Sequence, residues 1–426
     1  MTLPLLALDP ARSLTLPPPD SASADTVEIL VGLFLLLLAA KVGEEVFRRL
    51  GQPGVVGELA GGFVVGPYAL GLVVPGETAL VLSEIGVVIL LFTVGLEIKT
   101  DELLQVGRPA LLTAVLGVIF PIAAGTAYAV IAGEPPATAA FVGLALAATS
   151  IGITSRVLTD LGVLDRRFGR IIIGAAVIDD VLALILIGIV SGAAKGDLGL
   201  ATLGLIVGAI GFVGVGFAIA RRARGLKREV FTWPLFADTP LVPVFLLMLG
   251  LAILSAFVGL AAIIGAFVAG LIVAETEAQD EIEHEIKPLA SIITPFFFAV
   301  TGAQLDLAAL ADPLLALSAV VLALLGIATK VLAGLIGARG AGRWSALAVG
   351  VGMAPRGEVG IVVVTLGLGL GLLTPDLFSV VLVAVVLTTV AAPLMLNVVI
   401  PRAAAEADAI AVPPLEPGSG QGRGPG

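Results

Sequence analysis

Asp179 and Asp180 stand side by side near the middle of the apolar run FGRIIIGAAVIDDVLALILIGIVSG. At the helical rise per residue they lie about 17 Å along that run, close to the midplane of a bilayer. A charge at such a depth costs roughly 2.5–3.5 kcal/mol on insertion scales. Two carboxylates there are far more than helix packing requires. A carboxylate can hold a small cation or a proton, and one excludes the other. Neighbouring helical residues point about 100° apart, so the two can serve different partners. Lys330 falls about 12 Å from the end of another apolar run, ALSAVVLALLGIATKVLAGLIG, at nearly the same depth. A buried ammonium and a buried carboxylate are each tolerable only with the other present. Lys330 is therefore expected to pair with one of the two aspartates.

Two further runs break at that depth. LALAATSIGITSRVL is interrupted by Thr149, Ser150, Gly152 and Thr154. VGVGMAPRGEVGIVVV is interrupted by Gly352, Pro355, Arg356, Gly357 and Glu358. Proline removes a backbone donor and glycine tolerates an unwound backbone. Non-helical backbone at membrane depth persists only against protein or a wet cavity. Each broken helix offers two half-helix ends of opposite partial charge, which Arg356 and Glu358 can compensate.

The elements that must position these residues follow from composition. The chain has 426 residues, 58% hydrophobic and 13% charged, with a mean hydropathy of +1.13. A soluble domain carries about 25% charged residues. The chain therefore reads as an all-α polytopic membrane protein, which excludes a soluble enzyme, a nucleic-acid binder and a single-span receptor. There is no cysteine and one histidine, so disulfides, thiol catalysis and a multi-histidine metal site are excluded. The GLGLG stretch at 367–371 ends a membrane segment and is no dinucleotide fingerprint.

Apolar segments fall at about 27–47, 54–73, 78–98, 109–132, 137–159, 168–193, 198–220, 240–258, 260–275, 286–304, 313–338, 344–370 and 376–400, thirteen in all. Residues 1–26 and 401–426 read as disordered tails, the first periplasmic and the second cytoplasmic. With the N-terminus outside, eighteen of the 23 Lys and Arg fall on the cytoplasmic side. Only Arg12 and Lys195 fall outside, and Lys41, Lys330 and Arg356 lie within segments. That bias predicts an N-out, C-in orientation. The broken segments, fifth and twelfth, are seven apart. Segments one to six and eight to thirteen then form a six-plus-six inverted repeat with the seventh, 198–220, as connector. Interrupted segments at corresponding positions of two halves point to a transport site.

Other charges read as local. Lys41 and Glu45 have the spacing of a snorkelling pair. Glu97, beside Lys99, is interfacial, and Glu58 and Glu84 are open between packing and function. Gly57/Gly61 and Gly62/Gly66 predict close helix approach, within one protomer or between two. His284 lies among acids at the cytoplasmic surface, where a charged imidazole could bias a conformational switch.

On the stretches QPGVVGELAGGFVVGPYALGLV, LLFTVGLEI, ATSIGITSRVL, GAAVIDDVLAL, TKVLAGLIGA and VGMAPRGEVG, the chain resembles the bacterial sodium/proton antiporters of the cation:proton antiporter superfamily. The resemblance is to their two-aspartate, electrogenic branch. It implies a homodimer in the bacterial inner membrane, with a core (109–193 and 313–400) holding crossed broken helices and a dimerisation part (27–98 and 240–304). It implies Asp180 as the essential carboxylate for cation and proton, Asp179 as the partner of Lys330, and an elevator-like movement of the core. Hydroxyl or backbone oxygens of Thr149, Ser150 and Thr154 become candidate ion contacts. Gly152, Pro355, Arg356 and Glu358 become supports of the broken helices.

The expected activity is exchange of Na+ (or Li+) for H+, with Asp180 and Asp179 as the sodium ligands. No cofactor, nucleic acid or nucleotide-binding domain is expected. Carboxylates, unwound carbonyls and water supply the oxygens that sodium requires. The runner-up is K+/H+ exchange by the same fold. An intramembrane aspartyl protease needs its two carboxylates on neighbouring helices, and a passive channel leaves the buried lysine without a purpose.

Overall fold

In hydrocarbon, every backbone N–H and C=O must be satisfied within the protein, so apolar runs of this length become helices. In the computed structural model no strand occurs among the described residues. The structure describes residues 21–195, 200–226, 240–305 and 311–411, apart from 357–359, 361–362, 365–366 and 369. In chain order the helices are α1 (Ser21–Arg49), α2 (Gly54–Val65), α3 (Glu77–Leu96), α4 (Thr100–Gln105), α5 (Gly107–Ile131), α6 (Pro136–Ala147), α7 (Ile151–Asp160) and α8 (Arg167–Lys195). They continue with α9 (Leu200–Arg222), α10 (Leu241–Phe257), α11 (Ala262–Ala274), α12 (Gln279–Ala303), α13 (Pro313–Gly337), α14 (Arg343–Gly352) and α15 (Pro375–Ala411).

Among the described residues, seven helical stretches are long and apolar enough to cross a membrane, with α6 and α7 counted together. Thirteen were expected. Part of the difference is that α2, α10 and α11 are apolar but shorter. α2 stops at Val65, well before residue 73. Gly259, at φ +84°, parts α10 from α11.

Several boundaries move. α1 starts at Ser21, inside the stretch expected to be a tail. The second tail is likewise helical as far as Ala411, because RAAAEADAIA is rich in strong helix formers. α12 starts at Gln279 rather than 286, with Asp280 and Glu281 in its first turn, where acids suit the helix dipole. His284 is exposed on that helix. The expected Lys41–Glu45 pair is replaced. Lys41 bonds Glu44 at 2.8 Å, while Glu45 pairs with Arg48 and, at 2.8 Å, with Arg49. Lys41 also stands 3.9 Å from the buried Glu58, whereas Glu84 is exposed on α3.

The chain divides into two units. The first comprises residues up to Thr100, Leu203–Ala319 and Pro375–Val386. Within it, the glycines of α2 let three helices meet at backbone distance. A Cβ on Gly57 or Gly61 would strike the backbone of α1 at Gly43 or Ala39, and one on Gly62 or Gly66 would strike α12 at Ala299 or Ala303. Both GxxxG faces are thus occupied inside one chain. At one end of this unit the Glu275 carboxylate accepts the Thr100 amide at 2.8 Å, the Thr100 hydroxyl and, at 3.2 Å, the Arg224 guanidinium. Lys99 donates to the Ala274 carbonyl and, at 2.6 Å, to Gln279. The ends of α3, α9 and α11 and the start of α4 are tied together there.

The second unit comprises Asp101–Thr202, Val320–Thr374 and the chain from Leu387. It holds α8, most of α13 and both interrupted helices. α6 ends at Ala147 and α7 begins at Ile151, with Ala148, Thr149 and Ser150 unwound between them. α14 ends at Gly352 and the chain is non-helical from Met353 to Arg356.

Candidate functional site

The unwound stretches meet in the second unit and satisfy each other. The Ser150 amide donates to the Pro355 carbonyl at 2.8 Å. The Thr154 hydroxyl donates to the Gly352 carbonyl at 2.6 Å, and the Thr149 hydroxyl to the Met353 carbonyl at 3.3 Å. In the other direction the Arg356 guanidinium donates to the Leu146 carbonyl, from Nε at 2.9 Å and from Nη2. It also reaches the Ala354 carbonyl at 2.9 Å and the Gly326 carbonyl at 3.3 Å. The last carbonyls of a helix lack intrahelical donors and carry the negative end of its dipole. Hydroxyls from the first break therefore cap α14, and a cation from the second break caps α6. Arg356 is fully buried, and this arrangement gives the burial of its charge a physical reason.

Lys330 on α13 reaches into this crossing. Its Nζ donates to the Thr149 hydroxyl at 2.7 Å and lies 3.1 and 3.4 Å from the two carboxylate oxygens of Asp179. Both charges of that pair are fully buried. Of the two aspartates left open by spacing alone, Asp179 is the one bonded to Lys330. Asp180, 3% exposed, is close enough for its charge to act on the same ammonium. Asp179 carries the buried ion pair with Lys330, and Asp180, the next residue on α8, points about 100° away from it.

Thr149, Ser150, Thr154, Asp179, Lys330, Gly352, Pro355 and Arg356 are thus brought together. The Thr154 proton goes to the last carbonyl of α14, while the Thr149 hydroxyl lies between the Met353 carbonyl and the Lys330 ammonium. Gly152 sits in the first turn of α7, its carbonyl accepting from the Ser155 hydroxyl at 3.0 Å. Glu358 lies outside the described residues. Three contributors escape a search for charged residues. The Leu146 carbonyl carries no side-chain signal. Gly326 leaves room for the guanidinium, since a Cβ there would stand 2.8–2.9 Å from Arg356. The Thr389 hydroxyl donates to the Arg356 carbonyl, and a Thr388–Thr389 pair in an otherwise apolar run was the available sign.

Comparison with known proteins gives the family. The family described as "Sodium/hydrogen exchanger, transmembrane" matches residues 32–400. The high-affinity Na(+)/H(+) antiporter NhaS3 of Synechocystis is 36% identical over 87% of this chain and 89% of its own length. The Na(+)/H(+)-K(+) antiporter GerN of Bacillus cereus is 32% identical over 87% of this chain and 96% of its own. In fold, the structure of the sodium proton antiporter MjNhaP1 from Methanocaldococcus jannaschii covers 89% of this chain and 99% of its own, with a TM-score of 0.63 at 16% identity. The chain belongs to the sodium/hydrogen exchanger family of membrane antiporters.

Proposed function

We propose that the chain exchanges Na+ for H+ by alternating access, with Asp180 as the carboxylate that holds either ion. The observation that carries this is the buried Asp179–Lys330 pair beside Asp180, where the two interrupted helices cross. With Asp180 protonated and Asp179 paired to Lys330 the site is neutral overall, and that form can be carried past an apolar barrier that bare charge does not cross. Sodium also draws on Asp179, and Asp179 then parts from Lys330. An ammonium separated from its carboxylate in apolar surroundings is a second source of a proton. Two protons then return for each sodium, and the cycle moves one net charge. Residues 109–193 and 313–400 act as the transporting core, residues 27–98 and 240–304 supply the dimer contact, and the N-terminus faces the outside of the bacterial inner membrane.

Everted vesicles carrying a proton gradient test this. Sodium or lithium should dissipate the gradient, and Asp180→Asn, expressed at normal level, should abolish that response. Robust sodium-driven proton movement in Asp180→Asn overturns the assignment. GerN's name includes potassium as well as sodium, so K+/H+ exchange is the second reading. A larger response to potassium than to sodium in the same vesicles would establish it.

A further inference from the structure

The far end of α14 carries a cap that comes from elsewhere in the chain. The first amides of a helix have no intrahelical partners, and Gly342, at the head of α14, has no side chain to supply one. The carboxylate of Glu406, on the last turns of α15, takes its place. One oxygen accepts the Arg343 amide at 2.8 Å and the other accepts the Ser345 amide at 2.9 Å. A carboxylate there also suits the positive end of the helix dipole. Gly342 sits at φ +105°, a conformation L side chains rarely adopt, and a Cβ on it would collide with the Glu406 carboxylate. The backbone ahead of α14 is thus shaped around this remote group.

Glu406 is itself held in place. Asp408, two residues on, pairs with the Arg166 guanidinium just ahead of α8, the helix of the two aspartates. Arg402 stands over the Trp344 ring at 5.2 Å, and Ala403 is fully buried. Residues 401–411 therefore grip the starts of both α8 and α14.

α14 has ten residues, a rod of about 15 Å. Glu406 pins one end. The Thr149 and Thr154 hydroxyls and the Ser150 amide pin the chain at the other end. We infer that Glu406 is a positioning residue for cation exchange. By fixing the height of α14, it sets the Gly352 and Met353 carbonyls against Thr154 and Thr149, and through Thr149 the hydrogen bond that Lys330 makes beside Asp179. This rests on the exchange reading above, with its site at Asp179, Asp180 and Lys330.

The test is the apparent KM for sodium against the maximal rate in everted vesicles, with thermal melting of the purified protein beside it. Glu406→Ala should raise the KM by about fivefold, the factor to which a typical lost N-cap corresponds. Glu406→Gln keeps one acceptor oxygen and should fall between. Asp408→Ala should shift the KM in the same direction by less. An unchanged KM in both Glu406 variants, whether or not melting falls, overturns the proposal and leaves Glu406 a cap for stability alone. If the alanine variant does not fold, the glutamine variant decides. Wild-type vesicles that respond to none of sodium, lithium and potassium count against the exchange reading instead. The sodium-dependent shift in melting temperature, compared between wild type and Glu406→Gln, then judges the cap without transport. An equal shift in the two sinks the inference.

Discussion

The two neighbouring carboxylates lie in the same buried site. Asp179 faces Lys330 at 3.1 Å with both groups sealed from solvent, and Asp180 is the next residue on the same helix. Removing one partner of such a pair leaves an uncompensated buried charge, a loss of about 3–5 kcal/mol. Lys330→Gln is therefore expected to lower the melting temperature markedly. In proteoliposomes on a solid-supported membrane it should also remove the sodium-driven current, even where electroneutral exchange survives. A membrane potential acts on each net charge moved by about 2.3 kcal/mol per 100 mV, so wild-type exchange should respond to an imposed potential. Wild-type indifference to potential would remove the two-proton cycle and keep the antiport itself.

Between elements, the crossing depends on room as much as on charge. The guanidinium of Arg356 is pinned to carbonyls of Leu146 and Ala354, so it cannot yield to a methyl group on Gly326. Gly326→Ala should cost about 1–3 kcal/mol by overpacking, read as a lower melting temperature and slower exchange. Full wild-type melting in that variant would show that the guanidinium can move. At the junction of α3, α4, α9 and α11, burial pushes the Glu275 carboxyl up, but the Thr100 and Arg224 hydrogen bonds outweigh it and hold the group below its ordinary 4.5. A carboxyl lowered on folding contributes stability above its ordinary value, and that contribution disappears as acid protonates the folded group. The melting advantage of wild type over Glu275→Gln should be constant above about pH 5 and shrink below about pH 4.5. An advantage that does not change with pH would mean that hydrogen-bond shape, rather than charge, matters there.

For the whole molecule, charge distribution makes a topological prediction that the absence of native cysteine makes easy to test. Single cysteines at Ser13 and at Ser419 should label with an impermeant maleimide from opposite sides. The first should react in intact cells and the second only in everted vesicles. Labelling of both from one side would contradict the N-out, C-in arrangement. The glycine faces of α2 are filled by α1 and α12 of the same chain, so a contact between two copies must use another surface.

Much of this protein is legible from its residues in order. Apolar run length dictates helices, because lipid offers the backbone no other partner. Asp179, Asp180 and Lys330 stand out because charge is scarce at membrane depth, and Thr149, Ser150, Pro355 and Arg356 stand out because they break otherwise continuous runs. Other features depend on which atoms meet in space. Spacing places two aspartates within reach of Lys330, and only the fold shows the buried pair it makes with Asp179. The pairing of Lys41 with Glu44 rather than Glu45, and the use of the GxxxG faces, follow from where α2 lies against α1. The reciprocal capping at the crossing joins backbone carbonyls of Leu146, Gly352 and Met353 to side chains roughly two hundred residues away. Backbone carbonyls are identical at every position, so no residue type announces which of them will need a donor. The tertiary structure decides that by choosing where two helices stop.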